Sequence, residues 1–128
     1  MENALKKNLA SITGAADISW KIDKDGVSSV FVKPFNIESC PFSVAWSSHE
    51  TVMGFETGAR FELDAGEDDL ATLYTLIESV ILGRVREVRV GRTVAMSLEL
   101  EDGRTVSDPP IEDGNEMATV RQYLPYLT

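Results

Sequence analysis

The stretch Asp64-Ala65-Gly66-Glu67-Asp68-Asp69-Leu70-Ala71-Thr72-Leu73-Tyr74-Thr75-Leu76-Ile77-Glu78-Ser79-Val80-Ile81-Leu82-Gly83 decides the fold. Within it Leu70, Leu73, Tyr74, Ile77, Val80 and Ile81 recur at i, i+3, i+4, i+7, i+10 and i+11, which lays one apolar stripe along a helix. The boundaries agree with that period. Asp64 and Glu67 have the spacing of a capping box, Glu67, Asp68 and Asp69 complement the positive end of the helix dipole, and Gly83 with Arg84 closes the C-terminus. The spacing therefore predicts a helix over about residues 67–82 that packs its stripe on a sheet.

Upstream the period changes from that of a helix to two. Ile18, Trp20 and Ile22 share one strand face, and Val30 and Val32 share one face beyond Asp25-Gly26, so these runs predict a β-hairpin. A three-residue loop, Lys24-Asp25-Gly26, with Gly26 at positive φ, sets Trp20 opposite Val30 and Ile18 opposite Val32; a two-residue turn would oppose apolar and polar faces. Lys33-Pro34 ends the second strand. Phe42, Val44 and Trp46 predict a third strand, and Ser48, His49 and Glu50 a polar turn after it. From Met53 to Leu63 the odd positions Met53, Phe55, Thr57, Ala59, Phe61 and Leu63 read as one long fourth strand, which Gly58 bulges or breaks. Before all of these, Leu5, Leu9 and Ile12 mark a short N-terminal helix, with Gly14 placed for a left-handed cap.

Downstream of the long helix alternation returns at Val88 and Val90, at Val94, Met96, Leu98 and Leu100, and at Val106, which predicts a second meander. A three-residue loop ending at Gly103 pairs Leu98 with Val106. The same phase argument at Gly91-Arg92-Thr93 pairs Val90 with Val94 and Val88 with Met96. Asp108-Pro109-Pro110 stops the strands, and Met117, Val120 and Leu124 suggest a C-terminal helix capped at Asn115 and stopped by Pro125. The expected fold is thus one α+β domain over residues 1–128: a mostly antiparallel sheet of about 6–7 strands in two meanders, linked by the long helix packed on one face, with short N- and C-terminal helices.

The chain has 128 residues, 43% of them apolar and 26% charged, a globular composition long enough for a substantial core. Its net charge of −9 repels nucleic acid and anionic lipid, whose binding requires Lys and Arg at the phosphates. Arg84, Arg86, Arg89 and Arg92 are interrupted by Glu87 and apolar residues and read as a solvated strand face. Cys40 is the only cysteine, so no internal disulfide forms, and Met1 to Lys7 lack the apolar run of a signal peptide. No apolar stretch approaches the ~20 residues of a membrane span. These features predict a cytoplasmic, soluble protein.

Catalytic signatures are scarce. Cys40 and His49 are the single thiol–imidazole pair available, and a strand over 42–46 holds them at its opposite ends, roughly 25 Å apart at ~3.3 Å per residue. With one His and one Cys, a zinc site is improbable, and no acidic cluster follows the EF-hand loop. Asp23-Lys24-Asp25-Gly26 and Glu101-Asp102-Gly103 are accounted for as turns. No phosphate loop, dinucleotide fingerprint or nucleophile elbow occurs, and no cofactor is expected. What remains is recognition. Trp46, with His49 and Glu50 just beyond it, combines an aromatic with polar groups near a strand end, the usual material of a binding surface for a partner or ligand. Tyr123 and Tyr126 either clamp the C-terminal segment onto the body or dock a partner chain. The leading expectation is a non-enzymatic acidic interaction module, resembling inhibitors or immunity proteins in charge alone, that binds a protein partner or pairs with itself. The alternative is a small-molecule binder or carboxylate-dependent hydrolase with a pocket between sheet and helix.

Overall fold

The computed structural model describes residues 1–64, 67–111 and 118–127, and at residues 64, 67 and 68 the backbone alone. It is an α+β structure. Helix α1 (Glu2–Asn8) runs into a 3₁₀ turn (Ala10–Ile12), and five strands follow: β1 (Ala16–Ile22), β2 (Ser28–Pro34), β3 (Phe42–Trp46), β4 (Glu50–Gly54) and β5 (Arg60–Asp64). Helix α2 (Glu67–Ile81) then leads to β6 (Val85–Val90), β7 (Thr93–Glu99), β8 (Thr105–Asp108) and β9 (Thr119–Gln122). The strands form two antiparallel sheets, β1-β2-β3-β4-β5 and β8-β7-β6-β9, rather than one sheet of 6–7 strands.

The long helix is where its apolar period puts it. Leu73, Ile77 and Val80 have no exposed surface, and Leu76 and Ser79 are also buried, so the buried arc is wider than the stripe read from Leu70, Tyr74 and Ile81. The extra width has a cause: α2 contacts both β5 and β7, one from each sheet. Its C-terminus closes as a Schellman motif. Arg84 N–H donates to Ser79 O at 2.8 Å and Gly83 N–H to Val80 O at 3.1 Å, with Gly83 at a φ of +75°. The capping box expected at Asp64–Glu67 lies outside the described residues.

Hairpin chemistry sets the registers. Lys24-Asp25-Gly26, Glu56-Thr57-Gly58 and Glu101-Asp102-Gly103 are built alike: each glycine N–H donates to the carbonyl three residues back, at 3.2, 3.0 and 3.0 Å, and each glycine has a φ between +81° and +92°. Trp20 pairs with Val30, Ile18 with Val32 and Leu98 with Val106, as the phase of the apolar residues requires. The middle loop corrects the single strand expected over Met53–Leu63, which is two strands, β4 and β5. A three-residue loop preserves odd–even parity, so Met53 faces Phe61 and Thr51 faces Leu63, and the alternation runs through the turn unbroken.

Three further expectations fail for identifiable reasons. The β6–β7 turn is the two-residue Gly91-Arg92, pairing Val90 with Thr93 and Val88 with Ala95. Phase misleads there because β6 is buried on both faces: Val85 and Glu87 share a face with Met96 and Leu98, while Val88 and Ala95 are buried on the other. Gly14 is not left-handed, since α1 ends earlier, at Leu9, in right-handed geometry. The C-terminal helix is absent among the described residues, where Val120 lies in β9. There the free edge of β6 takes Arg121 and Gln122 into an antiparallel ladder, Glu87 opposite Arg121 and Arg86 opposite Gln122, and tertiary pairing overrides a weak local helical spacing. Asn115 and Met117 lie outside the described residues.

One buried cluster draws on both sheets and both helices, from Leu5, Leu9 and Ile12 through Val30, Val44 and Met53 to Ile77, Met96 and Leu98. The C-terminal segment locks over it. Tyr126 N–H donates to Ile81 O at 2.9 Å, Tyr126 Oη donates to Cys40 O, Ser39 Oγ donates to Pro125 O at 2.9 Å, and both Tyr123 and Tyr126 are buried. Of the two roles open to these tyrosines, the clamp is the one the structure displays.

The two kinds of glycine separate in a substitution test. A Cβ at Gly103 meets nothing, so Gly103→Ala carries the cost of the left-handed backbone alone, about 1–2 kcal/mol. At Gly83 a Cβ would stand 2.6 Å from Pro125 N and 2.9 Å from Leu124 C, which adds roughly 1–3 kcal/mol of overpacking against backbone. Urea unfolding is expected to rank Gly83→Ala clearly below Gly103→Ala in stability.

Candidate functional site

The residues expected from sequence to form a recognition surface do not converge. Trp46 faces the core side of the first sheet and is half-buried, its ring edge-to-face with Trp20 at 6.3 Å between centroids. Glu50 is the next residue but one before Val52 on the opposite face, exposed and across from Asp64 in the ladder. His49 is exposed in the β3–β4 loop, Ser47 to His49, where Ser47 N–H donates to Glu50 O at 3.0 Å and His49 N–H donates to Ser47 Oγ at 3.3 Å. The alternation of strand side chains is what parts Trp46 from Glu50.

Among the hollows on the surface, three are walled by described residues alone. One, about 410 Å³, lies between α1 and β1, walled by Trp20, Ile18 and Leu9, with Lys6 Nζ 5.3 Å from the Trp20 ring centroid. A second, about 300 Å³, lies on the outer face of the first sheet between exposed Phe31 and half-buried Phe55, where Ser43 and Gly54 leave room. The third and largest of these, about 520 Å³, runs between the two sheets. It has the most complete set of recognition features.

That groove is made by two strands that stop short of pairing. β5 is one edge of the first sheet and β8 one edge of the second, and among the described residues a backbone group of one reaches the other: Arg60 N–H donates to Asp108 Oδ2 at 2.8 Å. The floor is apolar. It consists of Leu76 from α2, Leu100 at the end of β7, and Phe61, Leu63 and Val106 from the walls. The rim carries one guanidinium between two carboxylates, Glu62 and Asp108: Glu62 Oε1 accepts from Arg60 Nε at 3.0 Å, and Glu62 first, then Glu50 from outside the lining and Asp108, raise the pKa of Arg60 above the ordinary value. Glu50 thus belongs to the electrostatic surroundings of the groove, while Arg60, Glu62 and Asp108 carry no signal in the sequence that distinguishes them from solvated charges. The helix face itself is filled, with Leu73, Ile77 and Val80 sealed, so the space lies beside α2 and not beneath it.

Cys40 and His49 lie at opposite ends of β3. Cys40 is buried, its Sγ 3.4 Å from Pro41 O, and burial first, then the Glu56 carboxylate, push its thiol up to about 12. Burial also raises the pKa of Tyr126 and Tyr123, with Cys40 adding to both. No group of three or more His, Cys, Asp or Glu side chains is arranged to hold a metal among the described residues.

Two measurements follow from these shifts. A thiol whose pKa rises from 9.0 to about 12 holds about a thousandth of the thiolate of a free cysteine at pH 8, so Cys40 labelling is expected to be slow in the native protein and complete in denaturant. For stability the sign is set by proton release. Cys40 and the tyrosines keep their protons longer when folded, so below about pH 9 they leave stability unchanged. Above it the unfolded chain ionises first, and stability falls as pH rises, by up to about 1.4 kcal/mol per pH unit for each group. Urea titrations between pH 8 and 11 check this, and Cys40→Ser would flatten the first part of the fall.

No family model matches the chain, no curated protein is similar to it, and no solved structure resembles it.

Proposed function

We propose that this chain is a non-enzymatic interaction module that binds a basic protein partner. The observation that carries the reading is the groove between β5 and β8, which combines a recess of about 520 Å³, an apolar floor at Leu76 and Leu100, and the carboxylates Glu62 and Asp108 on either side of Arg60, with Glu50 adding to the negative field from outside the lining. Apolar contact supplies affinity and the carboxylates orient and accelerate the encounter with a cationic surface. The overall charge of −9 acts in the same direction.

Other features fit this reading. The arginines of the β6 region do not form a phosphate track: all are exposed, but Arg86 and Arg89 project from opposite faces, and Arg89 Nε is engaged by Glu87 at 3.2 Å. No helix among the described residues is long and apolar enough to cross a membrane. A reducing compartment such as the cytoplasm suits a chain whose one cysteine is free and buried.

Charge reversal at the groove tests the proposal. Affinity capture with the purified chain is expected to recover a stoichiometric partner of basic isoelectric point. Glu62→Lys with Asp108→Lys is expected to abolish that capture, whereas Glu2→Lys with Asp17→Lys, distant from the groove, leaves it within about twofold. Equal loss with both pairs, or equal retention, rejects the groove as the site.

A further inference from the structure

The walls of the groove are strand edges, and the registers say which backbone groups face into it. In the β4–β5 ladder Phe55 N–H donates to Ala59 O at 3.0 Å, so the partners Gly54–Arg60 and Val52–Glu62 fall at non-hydrogen-bonded positions. Arg60 and Glu62 therefore turn their N–H and C=O groups away from β4 and into the groove. The Arg60 N–H on Asp108 is a direct sign of it. In the β7–β8 ladder Leu100 N–H donates to Arg104 O at 2.8 Å, which leaves Ser97–Ser107 and Glu99–Thr105 at non-hydrogen-bonded positions. Thr105 and Ser107 accordingly present their backbone groups from the other wall. No backbone-to-backbone hydrogen bond spans the two walls among the described residues.

An exposed row of backbone donors and acceptors is a template for another strand. Here the template is bounded by an apolar floor on one side and by carboxylates on the other, so it selects the occupant by chemistry. We propose that the groove accepts an extended segment of a basic partner as an added strand, its backbone hydrogen-bonded at Glu62 and Ser107. Alternate side chains of such a strand point to opposite faces. The apolar set goes down onto Leu76 and Leu100, and the basic set goes out to Glu62, with Glu50 on the same face of the β4–β5 ladder. A carbonyl of the incoming strand takes over the Arg60 N–H, which releases the Asp108 carboxylate to a basic side chain. This inference rests on the reading of the chain as a partner-binding module and specifies what part of the partner is held.

The test uses the whole chain and synthetic peptides. The probe is an acetylated, amidated octapeptide of alternating Lys and Val. It is compared with a block peptide of the same composition and with the alternating peptide N-methylated at every second residue, in both phases. Isothermal titration and amide exchange at low and moderate salt are the readouts. The alternating peptide is expected to bind at least tenfold more tightly than the block peptide and than one of the two N-methylated peptides, and to slow exchange at the Ser107 amide. Ser107→Pro, which removes a groove-facing donor without touching the β7 ladder, is expected to weaken binding at least tenfold while the far-ultraviolet spectrum stays unchanged. Should Ser107→Pro disturb the spectrum, the N-methylated pair decides. Equal binding of alternating, block and both N-methylated peptides, or no binding of any, overturns strand addition. Charge-sensitive capture of a basic partner alongside that result would leave the interaction-module reading standing, and its absence would remove both.

Discussion

The structure depends on the burial of one helix against two sheets. Leu73, Ile77 and Val80 of α2 are sealed and Leu76 is buried but for the part that lines the cleft, and at about 1.5–3 kcal/mol for each buried aliphatic side chain the four contribute on the order of 6–12 kcal/mol. That equals the whole net stability typical of a domain, about 5–15 kcal/mol, so the sheets cannot keep their places if α2 detaches. Ser79 shows how the helix registers against the second sheet: its hydroxyl, buried, donates to Glu99 O at 2.8 Å just where β7 ends. The Schellman turn at Gly83 then reverses the chain directly into β6, and Tyr126 caps the last turn from outside through Ile81 O.

A helix wedged between two sheets also explains the groove. β5 enters α2 and β6 leaves it, so the helix stands between the two sheets, and among the described residues Arg60 and Asp108 bridge β5 to β8. Among the described residues no backbone hydrogen bond joins the remaining edge groups of β5 to those of β8, and Leu76 lies at the bottom of the cleft. An open edge is ordinarily protected by charge. Glu62 and Arg60, both exposed and charged, do that here.

Much of the architecture was legible in the residues. The 3.6 period through Leu73, Ile77 and Val80 located α2, and the parity of Trp20 with Val30 and of Leu98 with Val106 gave two hairpin registers, because a loop of three residues closed by glycine has only one geometry that keeps apolar faces together. The same parity concealed the β4–β5 turn, since Met53 and Phe61 fall on one face whether the chain continues or folds back. Glu87, a carboxylate on a buried face, defeated the phase argument at Gly91, because period two has meaning only where one face is wet. The groove was not legible at all: Arg60, Glu62 and Asp108 read as surface charges, and which strands end up as unpaired neighbours is a property of sheet order.

By itself, then, the sequence determined the α+β class, the central helix, the turn chemistry and the acidity, each of which rests on residues within a few positions of one another. Only the tertiary structure decided that the strands divide into two sheets, that residues 119–122 become β9, that Tyr126 clamps the tail at Cys40, and that β5 and β8 face each other unpaired. These are settled by competition among distant segments for edges and buried surface, and the energies of that competition are not written in any local pattern.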